Sequence, residues 1–332
     1  MGNSQVVQTT DVVDFHTDQR LSRGTRAFLK ALNTPVPPEL EKLGSVAARK
    51  VLESAQASVN FDYSGIDERE KTISVDGFEI VLNIVRPKGA ASKLPVFVFV
   101  HGGGWVLGDY PTHRRFVRDL VVESGYCAVF VNYTRTPDAI FPRQIDEIYA
   151  ATRWVAEHGD EINVDGSNLA IVGNSVGGNM TAVTAIKAKE NGGPKIKLHI
   201  MMWPIVDADF ETESYKQFGR DRFLSKPLMQ WMYDMYIAAP DKRMDIHASP
   251  LRASLEQLKG LPPALIQVAE NDILSDGGEA YGRKLDEAGV EVATVRYDGM
   301  IHDFGLLNGL ANEPGTRSLC RHAAAELKHR LG

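Results

Sequence analysis

The run Gly173-Asn174-Ser175-Val176-Gly177 has the spacing G-x-S-x-G. A serine hydroxyl becomes a usable nucleophile where a strand turns sharply into a helix, because small residues two before and two after it let the flanking segments approach while the hydroxyl is pushed outward. Gly178 adds further room. A glycine-rich turn with an idle serine would share the pattern, but here the apolar run 169–172 precedes it and helical periodicity follows, on the sides a nucleophile requires.

Serine needs a base to take its proton as a carbonyl is attacked, and imidazole is the side chain suited to that near neutral pH. Of nine histidines, His16, His158, His322 and His329 lie in polar stretches, His113 begins a helix, His199 sits in a strand, His247 falls in an aromatic-rich insertion, and His101 belongs to a glycine motif. His302 differs, since Asp298-Gly-Met-Ile-His-Asp-Phe304 follows the last apolar run and would form a loop at the carboxyl edge of a sheet. An acid is expected after a strand between Ser175 and His302, to hold the imidazole in one tautomer and stabilise its charged form. Asp272 fits, in Ala269-Glu-Asn-Asp-Ile-Leu-Ser-Asp276. Glu270 and Asp276 remain within reach; Asp276 reads better as the N-cap of a helix over 277–288, and Glu270 points away if strand alternation persists.

His101-Gly102-Gly103-Gly104-Trp105 follows the apolar run 96–100. Three glycines leave main-chain N–H groups uncovered where a developing negative oxygen must be received, and the amide of Val176 would add another donor. Loss of one such donor costs about 3 kcal/mol of transition-state stabilisation. A phosphate loop is disfavoured, because no Gly-Lys-Ser/Thr follows and the glycine spacing is not G-x-G-x-x-G.

The elements that must position these residues are visible in the hydrophobic pattern. From 68 to 87 the period is two, with Phe78, Ile80, Leu82 and Ile84 on one face after Asp76-Gly77, which predicts an antiparallel hairpin. Continuous apolar runs at 96–100, 128–132, 169–172, 199–203, 264–269 and 292–297 alternate with amphipathic stretches, the signature of buried parallel strands with helical crossovers. The fold class is α/β, in one domain. The helix after Gly177 directs Met180, Val183 and Ile186 to one side and stops at Asn191-Gly-Gly-Pro194. Two segments break the alternation: residues 1–60, and 206–250, rich in aromatic residues.

Among 332 residues, 43% are hydrophobic and 24% charged, and the net charge is −6. No basic face exists to gather nucleic acid or anionic lipid. Cys127 and Cys320 are too few for a disulfide framework and read as packing thiols. The first ten residues lack a basic start and apolar stretch, Val6 stands where a myristoylation signal needs Ser or Thr, and no apolar run is long enough to span a bilayer. A cytoplasmic protein is expected.

With HGGGW, GNSVGG, a later Asp and a late His in that order, the chain resembles the hormone-sensitive lipase-like family of esterases and lipases, over about residues 70–330. The resemblance implies an α/β-hydrolase fold with an eight-stranded, mostly parallel sheet and helices on both faces. It implies a helical cap made from 1–60 and 206–250 over a core of 61–205 and 251–332. It also implies hydrolysis of short- to medium-chain carboxylic esters with no metal or organic cofactor. Carried over, Ser175, Asp272 and His302 fall on the triad. Gly103, Gly104 and Val176 fall on the oxyanion donors, with Gly102 an alternative if the register shifts by one, and His101, Gly173 and Gly177 support the motifs. The usual elbow G-D-S-A-G-G differs at Asn174 and Val176. The usual Y-R-L-A-P-E appears as Tyr133-Thr-Arg-Thr-Pro-Asp138, and D-P-L-R-D-E-G as Asp272-Ile-Leu-Ser-Asp-Gly-Gly278. An amidase or lactonase would use the same triad. A catalytically silent receptor on the same fold would be expected to have lost His302. Trp105, Trp203, Phe210 and Phe223 are candidates to line the pocket, though ordinary core packing is the commoner use of any one of them. The expected partner is a small-molecule ester, and a homodimer stays open.

Overall fold

The structure is a computed structural model that describes residues 14–332. Residues 1–13, which hold the N-terminal signal expectations and the start of the expected cap, lie outside the described residues. Among the described residues eight strands run β1 (Ile66–Val75), β2 (Phe78–Pro87), β3 (Leu94–Val100), β4 (Cys127–Asn132), β5 (Val164–Asn174), β6 (Leu198–Met202), β7 (Ala264–Asn271) and β8 (Val292–Ile301). Ten helices of the same span accompany them: α1 (Arg23–Leu32), α2 (Ser45–Ala57), α3 (Tyr110–Ser124), α4 (Arg143–His158), α5 (Val176–Glu190), α6 (Glu213–Phe218), α7 (Lys226–Tyr236), α8 (Leu255–Leu258), α9 (Ser275–Glu287) and α10 (Pro314–Leu331).

The strands form one sheet in the order β1-β2-β4-β3-β5-β6-β7-β8. β1 and β2 are antiparallel and β2 meets β4 antiparallel; the remaining pairs are parallel. The predicted hairpin forms, with Val75 opposite Phe78 and both turn residues, Asp76 and Gly77, at positive φ (52° and 77°). That conformation matches the right-handed twist of the flanking strands.

The continuous apolar runs are explained by burial on both faces. In β3, Val96, Val98 and Val100 join one core with Ile145 and Ile148 of α4 and Met180 and Val183 of α5. Phe97 and Phe99 join another, with Phe116 and Leu120 of α3 and Leu319 and Ala323 of α10. Cys127 lies in the first core and Cys320 in the second, and burial pushes both thiols up to about 12.

Two local expectations need correction. Helix α5 has no solvent side along most of its length: Met180 and Val183 face one core while Ala182, Ala185 and Ile186 face a third, shared with α9 and β7. A helix wedged between two cores carries no one-sided apolar stripe. Helix α9 begins at Ser275 rather than Gly277, so Asp276 lies in its first turn and does not cap it.

Helices α6 and α7 come from the aromatic-rich insertion. Trp105 stacks on Tyr236 of α7 at 4.1 Å and meets Tyr233 edge-on at 5.0 Å, and Thr136 Oγ1 donates to the Met235 carbonyl. Helix α2 reaches the same edge: Arg49 donates to the carbonyls of Val106 (2.8 Å) and Thr136 (2.9 Å), and Gln56 donates to those of Thr112 and Leu306. Among the described residues no helix is long and apolar enough to cross a membrane.

Candidate active site

Strand β5 ends at Asn174 and α5 starts at Val176, leaving Ser175 alone to make the turn, with φ 56° and ψ −121°. A side-chain-bearing residue at positive φ is strained, and the surroundings must over-determine it. Here they do: the Ser175 N–H donates to the Met202 carbonyl (2.9 Å), while its carbonyl accepts from Asn179 N–H (3.1 Å). A Cβ on Gly177 would overlap the Val100 carbonyl oxygen, so the helix can lie this close to β3 only with glycine there.

β8 runs to Ile301, four residues past its expected end, and places His302 directly after the strand. Its Nε2 lies 3.0 Å from Ser175 Oγ and its Nδ1 2.7 Å from Asp272 Oδ2. Asp272 follows β7, and its other oxygen accepts from Leu274 N–H at 3.0 Å. All three side chains are buried. Burial alone would pull the imidazole down, but the carboxylates of Asp272 and Asp303 and the hydrogen bond to Asp272 outweigh it, holding His302 above its ordinary 6.5. The competing acids are turned elsewhere: Glu270 accepts from Gly299 N–H, and Asp276 accepts from Ser214 N–H, both at 2.8 Å.

The glycine motif bends over the end of β3, with Gly103, Gly104 and Trp105 all at positive φ (104°, 62° and 60°). A Cβ on Gly104 would collide with the Met232 sulfur of α7. Among the described residues, the amides of Gly103, Gly104 and Val176 donate to no acceptor of the chain. The Gly102 amide does, to Asn174 Oδ1 at 3.0 Å, and so is not free to receive another oxygen. His101 is a buried plank stacked on Tyr133 (4.1 Å) and Phe130 (5.3 Å). Burial, chiefly, pushes it well below 6.5, so it is neutral, and its Nδ1 lies 2.8 Å from the Gly102 carbonyl oxygen. Its contacts support the loop rather than the Ser175 hydroxyl.

Three residues at the site were not assigned a part by the sequence reasoning: Asp303, and its partners Asn174 and Trp203 in that role. Asp303 stands beside His302, with Oδ2 3.9 Å from Nε2, because its φ of 59° folds its side chain back toward the imidazole. Its Oδ1 accepts from Trp203 Nε1 (2.8 Å) and from Asn174 Nδ2 (3.2 Å). The acid next to His302 was visible in the sequence, but neighbours in a chain ordinarily point apart, and nothing short of the turn geometry reverses that. Trp105 and Trp203 are fully buried, while Phe210 and Phe223 are half-buried. Among the described residues no group of three His, Cys, Asp or Glu side chains is placed to hold a metal ion.

A buried hydroxyl, an imidazole touching it and a carboxylate on the far ring nitrogen can activate an oxygen nucleophile, and uncommitted amides beside them can receive a negative oxygen. The comparisons with known proteins point to ester hydrolysis. A family model described as alpha/beta hydrolase fold matches residues 97–306. A thermostable esterase from Pseudomonas putida is 55% identical in sequence and superposes with a TM-score of 0.94, covering 95% of this chain and 99% of its own. A putative alpha/beta hydrolase of Acanthamoeba polyphaga mimivirus is 39% identical over 288 residues, 85% of this chain and 80% of its own. A carboxylesterase of Mycobacterium tuberculosis is 33% identical over 264 residues, 79% and 82% respectively. With most of its sheet and every residue of the site inside the matched span, this chain belongs to the alpha/beta-hydrolase fold family and, within it, to the hormone-sensitive lipase-like esterases.

Proposed function

We propose that this carboxylic ester hydrolase works through an acyl-serine intermediate on short- to medium-chain esters. The observation that carries the reading is the continuous contact from Ser175 Oγ to His302 Nε2 (3.0 Å) and from His302 Nδ1 to Asp272 Oδ2 (2.7 Å). Ser175 Oγ attacks the ester carbonyl carbon as His302 takes its proton, and Asp272 stabilises the imidazolium. The amides of Gly103, Gly104 and Val176 receive the oxygen that becomes negative. The tetrahedral adduct collapses, the C–O bond to the alcohol breaks, and His302 returns the proton to the leaving oxygen. Water then attacks the acyl-serine by the same route, with His302 as base.

The reading takes the N-terminal helices and the 206–250 insertion as a cap, and the small-molecule ester as a partner that reaches the site beneath it. Bulky side chains of the insertion support the shorter acyl groups, since Phe210 packs edge-on against Tyr215 (5.6 Å) and Tyr233 (5.4 Å) next to the Trp105 stack. A chain-length series that peaks at long acyl groups would contradict this part. Cytoplasmic residence is part of the same proposal.

Ser175→Ala tests the mechanism. Hydrolysis of p-nitrophenyl butyrate should fall by about 10⁴-fold or more, and a fluorophosphonate probe should no longer label the protein. Retention of parental turnover would refute Ser175 as nucleophile. Because His302 must be neutral to accept the proton and is held above 6.5, activity should be lost as pH falls through a value above 6.5.

A further inference from the structure

Asn174 lies between the glycine loop and the turn that carries His302, fully buried and with both ends of its amide committed. Its Oδ1 accepts from the Gly102 N–H (3.0 Å), and its Nδ2 donates to Asp303 Oδ1 (3.2 Å). The chemistry at the two ends fixes the orientation of the amide, since an N–H needs an acceptor and a carboxylate needs a donor. Trp203 Nε1 holds the same Asp303 oxygen at 2.8 Å. The contact at Gly102 is close: a Cβ there would lie 2.6 Å from Asn174 Nδ2 and 2.8 Å from the Asn174 carbonyl oxygen.

We propose that Asn174 and Asp303 are positioning residues that together form a strut: the Asn174 side chain pins the Gly102 peptide, thereby aiming the amides of Gly103 and Gly104, and the carboxylate at 303 requires a neutral donor at 174. An aspartate at 174, almost the same shape, could still accept from Gly102 but could donate nothing to Asp303. It would set two carboxylates face to face in a buried site that already holds Asp272. The other titratable groups facing Asp303 do not relieve this, because His302 must be neutral to act and burial, above all, lowers His113 to about 4. The charge at 303 also reaches His302 and is one of the influences that raise it.

The strut rests on the mechanism proposed above, and the two fail separately. Asn174→Asp should lower kcat by about 10- to 100-fold with KM within about twofold, the size of effect expected when oxyanion donors are misaimed. The exchange Asn174→Asp with Asp303→Asn restores one donor and one acceptor at that contact, the new amide at 303 turning its N–H to the new carboxylate at 174 and giving up the bond from Trp203, which shares that position. It should regain part of the lost kcat, severalfold over Asn174→Asp. Asp303→Asn alone keeps an oxygen for Asn174 and Trp203, so kcat should fall by only about threefold while the acid limb moves to lower pH. An Asn174→Asp enzyme with parental kcat, or an exchange variant no better than Asn174→Asp, would overturn the strut, provided Ser175→Ala is inactive. If Asn174→Asp does not fold, a tenfold or larger loss in Asp303→Asn with an unmoved acid limb overturns it instead.

Discussion

Two sharp turns lie side by side at the carboxyl ends of the neighbouring strands β5 and β3, and they are held in different ways. The turn at Ser175 is fixed by main chain: its amide and carbonyl are bonded to Met202 and Asn179, and Gly177 presses on the backbone of Val100. The glycine turn at 102–104 has main-chain bonds of its own, the Gly103 carbonyl accepting from the N–H groups of Val106 (3.1 Å) and Leu107 (2.7 Å), but it is also held by side chains sent from elsewhere: Asn174 on Gly102, Tyr133 Oη on the His101 carbonyl (3.1 Å), Met232 against Gly104, and Arg49 of α2 on Val106. Ser175 is thus built into the sheet, whereas the glycine loop beside it is also held by parts of the chain distant in sequence on either side. One turn is held by main chain alone; the other also draws on side chains from the sheet and from α2 and α7.

Substitutions can break this contrast or sharpen it. The largest effect is expected at Gly177→Ala, whose new methyl must displace a carbonyl of β3; stability should fall by about 3 kcal/mol or more, read as a lower melting midpoint or a lower denaturant midpoint. An unchanged midpoint would mean that the elbow is not held by backbone packing. Gly104→Ala should be milder in stability, about 1–2 kcal/mol for a non-glycine residue at φ 62°, since the neighbour it meets is the flexible end of Met232. Its kcat should nevertheless drop by about tenfold or more, because the displaced loop carries two of the amides. Arg49→Met should have the smallest effect on kcat. It removes two charged hydrogen bonds to carbonyls while keeping the stem, costs about 1–3 kcal/mol, and lowers kcat by a few-fold with Ser175 still labelled by the fluorophosphonate probe. Should Arg49→Met slow the labelling as strongly as Gly104→Ala, the loop would depend on α2 more than on its own glycines.

Much of the architecture was legible in the sequence, because buried parallel strands leave continuous apolar runs and each predicted run lies within a strand, except for Trp203 at the end of 199–203, which falls just beyond β6. Residues Ser175, Asp272 and His302, named from motif and chain order, are brought into mutual contact. What escaped was governed by single dihedral angles or by tertiary neighbours. The two-residue error at the start of α9 turned Asp276 from a cap into an acceptor for Ser214, and no local signal distinguishes the two. Asp303 escaped because its left-handed φ reverses the usual divergence of adjacent side chains. The departure of Asn174 from the family's usual aspartate was plain in the sequence, yet its partners, Gly102 and Asp303, lie 72 and 129 residues away.

The two cysteines sit in different cores, and each thiol is pushed up to about 12. At pH 7 a thiol of that acidity is ionised in only about one part in 10⁵, and only the thiolate is alkylated. Iodoacetamide should therefore modify the thiols at the rate at which the two cores open to solvent, which makes the cysteines built-in reporters of core opening and leaves both thiols of the folded chain indifferent to mild oxidants.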